Sequence, residues 1–264
     1  MIRDLRNLFR HRQLIAILTS RDLKARYRGS VLGFFWSLAN PLMLLFVYTL
    51  VFTRFFQRPD IPAYPLFLFS GILPWTFFSS SVIESTTAIS GNAGLIKKVM
   101  FPAEALPLVV VFSHLAHFVL ALPILIAAAL ISAIAGTSSM TISIVCVPLL
   151  MILQTALVAG IALSISSASV LFRDLRDLIV NLLQLGFFLT PIIYLLTAVD
   201  SRVIRFLLRL NPMTPFVTSY QNVFFFGSWP ATLDLVLMTV YAVGSLLTGL
   251  VVFDRLRDSL AEAI

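Results

Sequence analysis

Runs of about 20 residues or more without a charged side chain alternate with short charged segments along this 264-residue chain. Wound as a helix, such a run crosses the ~30 Å hydrocarbon core of a bilayer, where only helices and closed barrels satisfy every backbone N–H and C=O. The alternation therefore points to an all-α integral membrane protein. Composition agrees, with 59% hydrophobic against 12% charged residues and a mean hydropathy of +0.98. Hydropathy places six transmembrane helices at about residues 31–53, 65–83, 108–135, 142–171, 178–199 and 235–253. The chain divides into an N-terminal amphipathic segment (1–30), a six-span membrane domain (31–253) and a C-terminal tail (254–264).

Six crossings leave both termini on one side, and the cations choose it. Residues 1–30, the loops 84–107 and 172–177 and the tail hold fourteen Lys and Arg, whereas the opposite loops hold five. The positive-inside rule puts the first group in the cytoplasm. The net charge of +7 is thus mostly a topology signal, and nucleic acid is not an expected partner. No secretory leader pattern is evident in residues 1–30, so the N-terminus is expected to stay attached. The single Cys146, inside an apolar run, excludes an intrachain disulfide and reads as a packing residue.

Leu5, Leu8, Phe9 and Ile15 recur at helical spacing against Arg3, Arg6, Arg10 and Arg12, which predicts an amphipathic helix along the cytoplasmic leaflet. Thr19 and Asp22 have capping-box spacing, so a second helix is expected to start near Ser20 and carry Arg21, Lys24, Arg26 and Arg28 toward the bilayer. The segment 200–234 is apolar but broken by Pro212, Pro215, Gly227 and Pro230. It reads as short re-entrant helices, since irregular backbone at membrane depth must be buried in protein or line a wet cavity. A flat interfacial helix is the other reading.

The spans contain no Asp, Glu, Lys or Arg, which disfavours ion-coupled transport. His114 and His117 stand one turn apart without a carboxylate partner in any span and are expected to hydrogen-bond across a helix contact. No G-x-x-x-x-G-K-[ST] motif occurs, and "SGNAGLIKK" has the wrong spacing, so the chain is expected to hold no nucleotide of its own. Hydrolase and zinc signatures are also missing, and neither a metal nor a cofactor is expected in this chain. What remains is a conduit with structured cytoplasmic loops, which calls for a separate ATPase. Six helices enclose little room, so a homodimer is the expected assembly.

Five stretches in order, "SRDLKARYRGSVLGFFWSLANPLMLLFVYTLVF", "FLFSGILPWTFFSSSV", "NAGLIKKVMFPAEALPL", "LFRDLRDLIVNLLQLGFFLTPIIY" and "NPMTPFVTSYQNVFFFGSWP", resemble the permease subunits of ATP-binding-cassette exporters of bacterial surface polysaccharides. That family serves O-antigen, capsule and teichoic acid. The resemblance implies a homodimer in the bacterial inner (plasma) membrane with two ATP-binding subunits that hold MgATP. It also implies a polysaccharide cargo on a lipid carrier, commonly undecaprenyl pyrophosphate, moved from the cytoplasmic to the outer face. Arg21, Lys24, Arg26 and Arg28 then resemble an interface helix, and the loop holding Gly91, Lys97, Lys98 and Phe101 resembles the main coupling helix. Arg173 and Asp174 in "FRDLRD" resemble the second ATPase contact. Spans one and five resemble lateral gate walls, and residues 211–229 resemble outer re-entrant gate helices.

A glycan needs water, polar contacts and flat apolar faces along its path. The candidate path and gate residues are Phe34, Trp36 and Tyr48 in span one, Asn181, Gln184, Phe187 and Tyr194 in span five, and Tyr220, Phe224 and Trp229 outside. Interfacial belts and lipid-facing Phe are the alternative for the aromatics. Asn40 and Gln154 either bridge helices or line the path. Arg21, Lys24, Arg26, Arg28, Lys97 and Lys98 are the donors available to a carrier pyrophosphate, to anionic membrane lipid or to the ATPase. A drug or small-lipid exporter of the same superfamily is the alternative transporter, and a polyprenyl-dependent membrane transferase is the alternative from another class.

Overall fold

The computed structural model describes residues 12–26, 35–51, 61, 63–94, 102–172 and 174–263, and every regular element among them is helical. In chain order these are α1 (Arg12–Arg26), α2 (Trp36–Leu50), α3 (Tyr64–Ser85), α4 (Ala105–Ile134), α5 (Val147–Leu171), α6 (Leu175–Leu189), α7 (Arg202–Leu210), α8 (Thr214–Gln221) and α9 (Thr232–Ala263). Four stretches are long and apolar enough to cross a membrane: Tyr64–Ser85, Ala105–Ile134, Ile142–Leu171 and Thr232–Arg257. Each coincides with a predicted span.

The other two predicted spans correspond to shorter helices. α2 and α6 have 15 residues each, about 22 Å of helix against the ~30 Å of a hydrocarbon core. α2 is flanked by residues outside the described set. α6 ends well before residue 199, because Thr190 turns to an extended backbone ahead of Pro191. The carbonyls released there are taken up by one side chain: Gln221 Nε2 donates to Pro191 O at 2.9 Å and, more weakly, to Ile192 O at 3.5 Å. Asn211 Nδ2 donates to Thr190 Oγ1 at 2.8 Å, and Tyr64 of α3 donates to Ile193 O at 2.7 Å. Glycine at position 71 lets α8 come this close, since a Cβ there would stand 3.1 Å from Gln221 Nε2. Gln221→Leu removes the donor and strands a buried carbonyl. The expected cost is about 1–3 kcal/mol, read as a lower unfolding midpoint in detergent.

The apolar centre lies where α3, α4, α5 and α8 meet. Phe67, Phe69, Phe216, Tyr220 and Phe224 are fully buried there, with Phe77 stacked on Phe118 at 5.6 Å. The segment 200–234 divides between both of its sequence readings. α7 has no buried residue, as an interfacial helix would, whereas α8 and the π-helical turn Asn222–Phe226 sink into the core. Gln154, a candidate for the path, is fully buried and donates to Pro74 O of α3 at 2.8 Å, so it bridges helices.

α5 and α9 cross at backbone contact. A Cβ on Gly160 would fall 2.2 Å from the Ser245 backbone, and one on Gly249 would fall 2.3 Å from Gly160 O. Ser245 Oγ donates to Leu157 O at 2.7 Å in the same crossing. In lipid, where apolar contact is not driven by water, such small-residue packing is a main source of helix association.

At the end of the bundle that carries α1, Ile15 and Leu18 pack on Ala105, Leu108 and Val109 of α4 and on Ala159 of α5. α1 is one continuous helix, so the expected new start near Ser20 is incorrect. Thr19 lies in its middle with a buried, unpartnered hydroxyl, and Asp22 bonds forward to Arg26 instead of capping. Packing of Ile15 and Leu18 on one face carries the helix through the local capping signal. The predicted helix over residues 5–11 lies outside the described residues.

Candidate functional site

A chamber of about 530 Å³ opens among the C-terminal end of α1 and helices α2, α3 and α4. Arg26, Asn40, Thr76, His114 and His117 give it polar walls, and Leu44, Leu73, Phe77 and Phe118 give it an apolar floor. Arg26 arrives on the last turn of α1, and His114 and His117 sit one turn apart on α4. Their rings lie 6.1 Å apart.

Glu84, in the last turn of α3, joins these parts. One carboxylate oxygen takes the Arg26 guanidinium, and the other meets His114 Nε2 at 2.7 Å. With Glu84 ionised against Arg26, His114 Nε2 is the donor. Arg26 Nε also donates to Asp22, four residues back, at 3.1 Å. Burial works against the Arg26 charge, but Glu84 and Asp22 outweigh it and hold its pKa above the ordinary value. The Arg26 and Glu84 side chains remain 28% and 38% exposed, and pairs in such positions contribute only about 0.2–1 kcal/mol. The network is therefore weak as glue. Its effect is positional: one carboxylate ties three helices from distant parts of the sequence.

Glu84 stands one residue beyond the predicted span 65–83, where the helix runs on to Ser85 and brings its carboxylate to His114, which bears out the hydrogen bond across a helix contact. The network also changes the part Arg26 can play. Flanked by two carboxylates, Arg26 is a strut between helices, and the chamber behind it presents amide, hydroxyl and imidazole groups over flat rings. Such a lining suits hydroxyl-rich neutral groups better than a phosphate.

The turn after α3 is anchored as well. Ile89 is fully buried against Leu163, Leu250 and Phe253, so the short 3-10 helix Ser90–Asn92, with Gly91 exposed, is held on the bundle. Arg21 and Lys24 are exposed on α1, and Asp174 is exposed just before α6. Arg28, Phe34, Lys97, Lys98, Phe101 and Arg173 lie outside the described residues.

Of the path candidates, Asn181 and Gln184 are exposed on α6, a helix with no buried residue. Gln184 and Phe187 line a 310 Å³ cleft against Trp75 of α3, with the Trp75 and Phe187 rings 6.0 Å apart. Trp36 and Trp229 are exposed, while Tyr48 and Tyr194 are half-buried. Tyr220 and Phe224 are sealed in the core, against Phe118 and against one another.

Residues 13–225 match the family model for the ABC-2 type transporter. The chain belongs to that family. Over its full length and the full length of the relative, this ABC-2 permease is 39% identical to an O-antigen export system permease protein, RfbA, of Myxococcus xanthus. It is 32% identical over 95% of each chain to an RfbA of Klebsiella pneumoniae. A shorter match, 32% over 83 residues and about a third of each chain, joins it to the polysialic acid transport protein KpsM of Escherichia coli. The permease is thus a transport subunit and a multi-pass membrane protein.

Sequence reasoning gave no part to Glu84, Gln221, Gly160 or Gly249. Glu84 carried one signal, a carboxylate closing an otherwise apolar run beside a basic N-terminal helix. The glycines carried another in the four-residue spacings Gly160/Ser164 and Ser245/Gly249, a small-xxx-small pattern.

Proposed function

We propose that the chain is the membrane-spanning subunit of an ATP-driven exporter that carries an O-antigen-type polysaccharide, linked to a polyprenyl pyrophosphate, from the cytoplasmic to the outer face of a bacterial inner membrane. The observation that carries this reading is the full-length similarity to O-antigen export permeases. Both termini are cytoplasmic, and α2 and α6 are the shorter two of six crossings. Two copies work with two ATP-binding subunits that hold MgATP.

In this reading the ATPase grips α1 at Arg21 and Lys24, the anchored turn at Gly91 and the start of α6 at Asp174. Arg28, Lys97, Lys98, Phe101 and Arg173, which lie outside the described residues, are the other candidates for that contact. Displacement of α1 pulls Arg26 against Glu84, and Glu84 passes the displacement to α3 and, through His114, to α4. The chamber walls then move together. Asn40 and Thr76 offer hydrogen bonds to sugar hydroxyls while Phe77 and Phe118 offer a flat apolar floor. Gln184, Phe187 and Trp36 line the approach from the lipid side. Tyr220 and Phe224 plug the outer end and must leave the core for cargo to pass.

The experiment is copurification of the tagged chain with its ATP-binding partner, followed by ATPase measurement with lipid-linked glycan and with amphiphilic drugs. Stimulation by the glycan alone is expected. Stimulation by drugs alone gives the chain to small-molecule export, and the absence of an ATP-binding partner removes the exporter reading.

A further inference from the structure

The positive-inside rule makes cations on the outer face uncommon, yet three of this chain's five outer cations, Arg202, Arg205 and Arg209, fall on one nine-residue helix, α7. Their spacing puts them on one side, and all three line a 350 Å³ cleft between α7 and the start of α9, closed at its back by Tyr241. Tyr241 fixes the cleft by donating to Arg209 O at 3.1 Å. On the opposite side of α7, Val203, Ile204 and Leu207 are half or more exposed, the surface that an interfacial helix gives to lipid, while Phe206 lines the cleft beside the arginines.

Within the cleft the positive charge is in excess. Among the described residues none of the three arginines makes an ion pair. The nearby carboxylate is Asp234, which feels the Arg209 charge but accepts its hydrogen bond from Thr218 at 3.2 Å. Arg209 Nε is buried and has no partner. A buried guanidinium N–H aimed at nothing costs free energy that a bound anion recovers. Arginine forks match phosphate oxygens, and basic pockets beside membrane helices hold lipid headgroups.

We propose that the α7–α9 cleft binds the phosphate headgroup of a lipid in the outer leaflet. This rests on the outward orientation of α7 in the exporter reading, in which such a site holds the carrier once its headgroup has crossed.

The test places the permease, complexed with its ATP-binding subunits, in phosphatidylcholine nanodiscs with trace diazirine-bearing probes: undecaprenyl pyrophosphate, phosphatidylglycerol or phosphatidylcholine. Labelled peptides within residues 200–241 are counted after illumination. An anionic probe is expected to label this segment at least about fivefold more than the phosphatidylcholine probe, as a cation-lined site requires. R202Q/R205Q/R209Q is expected to abolish the difference. Preference for the pyrophosphate names the carrier as ligand, and equal labelling by phosphatidylglycerol names ordinary anionic lipid. Equal labelling by all three probes in the unaltered permease overturns the proposal, as does undiminished labelling of the triple variant. If that variant does not accumulate, the three-probe comparison on the unaltered permease still decides. Labelling needs no turnover, so a labelled chain that fails to export would count against the exporter reading and leave the cleft standing.

Discussion

Arg26→Glu is expected to lower glycan export by at least about tenfold while leaving insertion and assembly intact, the scale of a coupling free energy of about 1–3 kcal/mol. Arg26 and Glu84 are in direct contact, and His114 holds the other Glu84 oxygen. Two like charges about 4 Å apart at an effective dielectric near 20 repel by roughly 4 kcal/mol, more than the about 1 kcal/mol such a pair contributes. The strut therefore opens. The fold is expected to survive, because α1 stays docked through Ile15 and Leu18. Restoring the pair in reverse, Arg26→Glu with Glu84→Arg, should recover part of the export, since the two opposite charges again face each other, although Asp22 opposes the carboxylate now on α1. Export and membrane abundance are measured in the same cells. Normal export by an abundant Arg26→Glu chain would show that the strut transmits nothing.

Gly160→Val is expected to eliminate folded permease. The added Cβ meets Ser245 backbone atoms at 2.2 Å, and backbone cannot rotate aside as a side chain does. The helices must separate, which breaks the Ser245 bond to Leu157 O and opens the packing around Gly249. Overpacking a core costs about 1–3 kcal/mol where side chains adjust, and here the obstacle is another helix. Gly249→Val should behave alike. Gly244→Ala is the control, because nothing lies within 4 Å of its Cβ position. There the loss of glycine's backbone freedom should leave stability unchanged or raise it by up to about 1 kcal/mol. Monodisperse elution in detergent distinguishes the three, and a well-behaved Gly160→Val chain would contradict the crossing.

Hydropathy located α3, α4, α5 and the start of α9 within a few residues because a bilayer imposes a length that composition alone can report, but α9 continues ten residues past the predicted end at 253, through most of the expected tail. The same measure misplaced the end of α6. An apolar count does not see that Thr190 and Pro191 halt the helix, and proline by itself does not decide, since Pro41, Pro74 and Pro123 all lie inside helices. The break at Pro191 is held open by Gln221, Asn211 and Tyr64, which stand ready for the released groups from elsewhere in the chain. The site was less legible for a related reason. Glu84 is 58 residues from Arg26 and 30 from His114, so spacing along the chain did not show that it joins them, and Arg26 read only as one of a basic cluster and His114 only as the neighbour of His117. The aromatics were legible as a class, whereas their division between core and path depends on packing, which seals Tyr220 and Phe224 and leaves Trp36 and Trp229 exposed.

The measurement that tests the exporter reading most directly is sided transport. The permease and its ATP-binding subunits are reconstituted so that the nucleotide sites face outward, lipid-linked glycan is supplied in the outer leaflet, and glycan reaching the lumen is counted with a trapped lectin. ATP-dependent accumulation is expected with the unaltered chain and absent with Arg26→Glu. Glycan that stays outside while ATP is consumed, with the complex intact, would contradict the account.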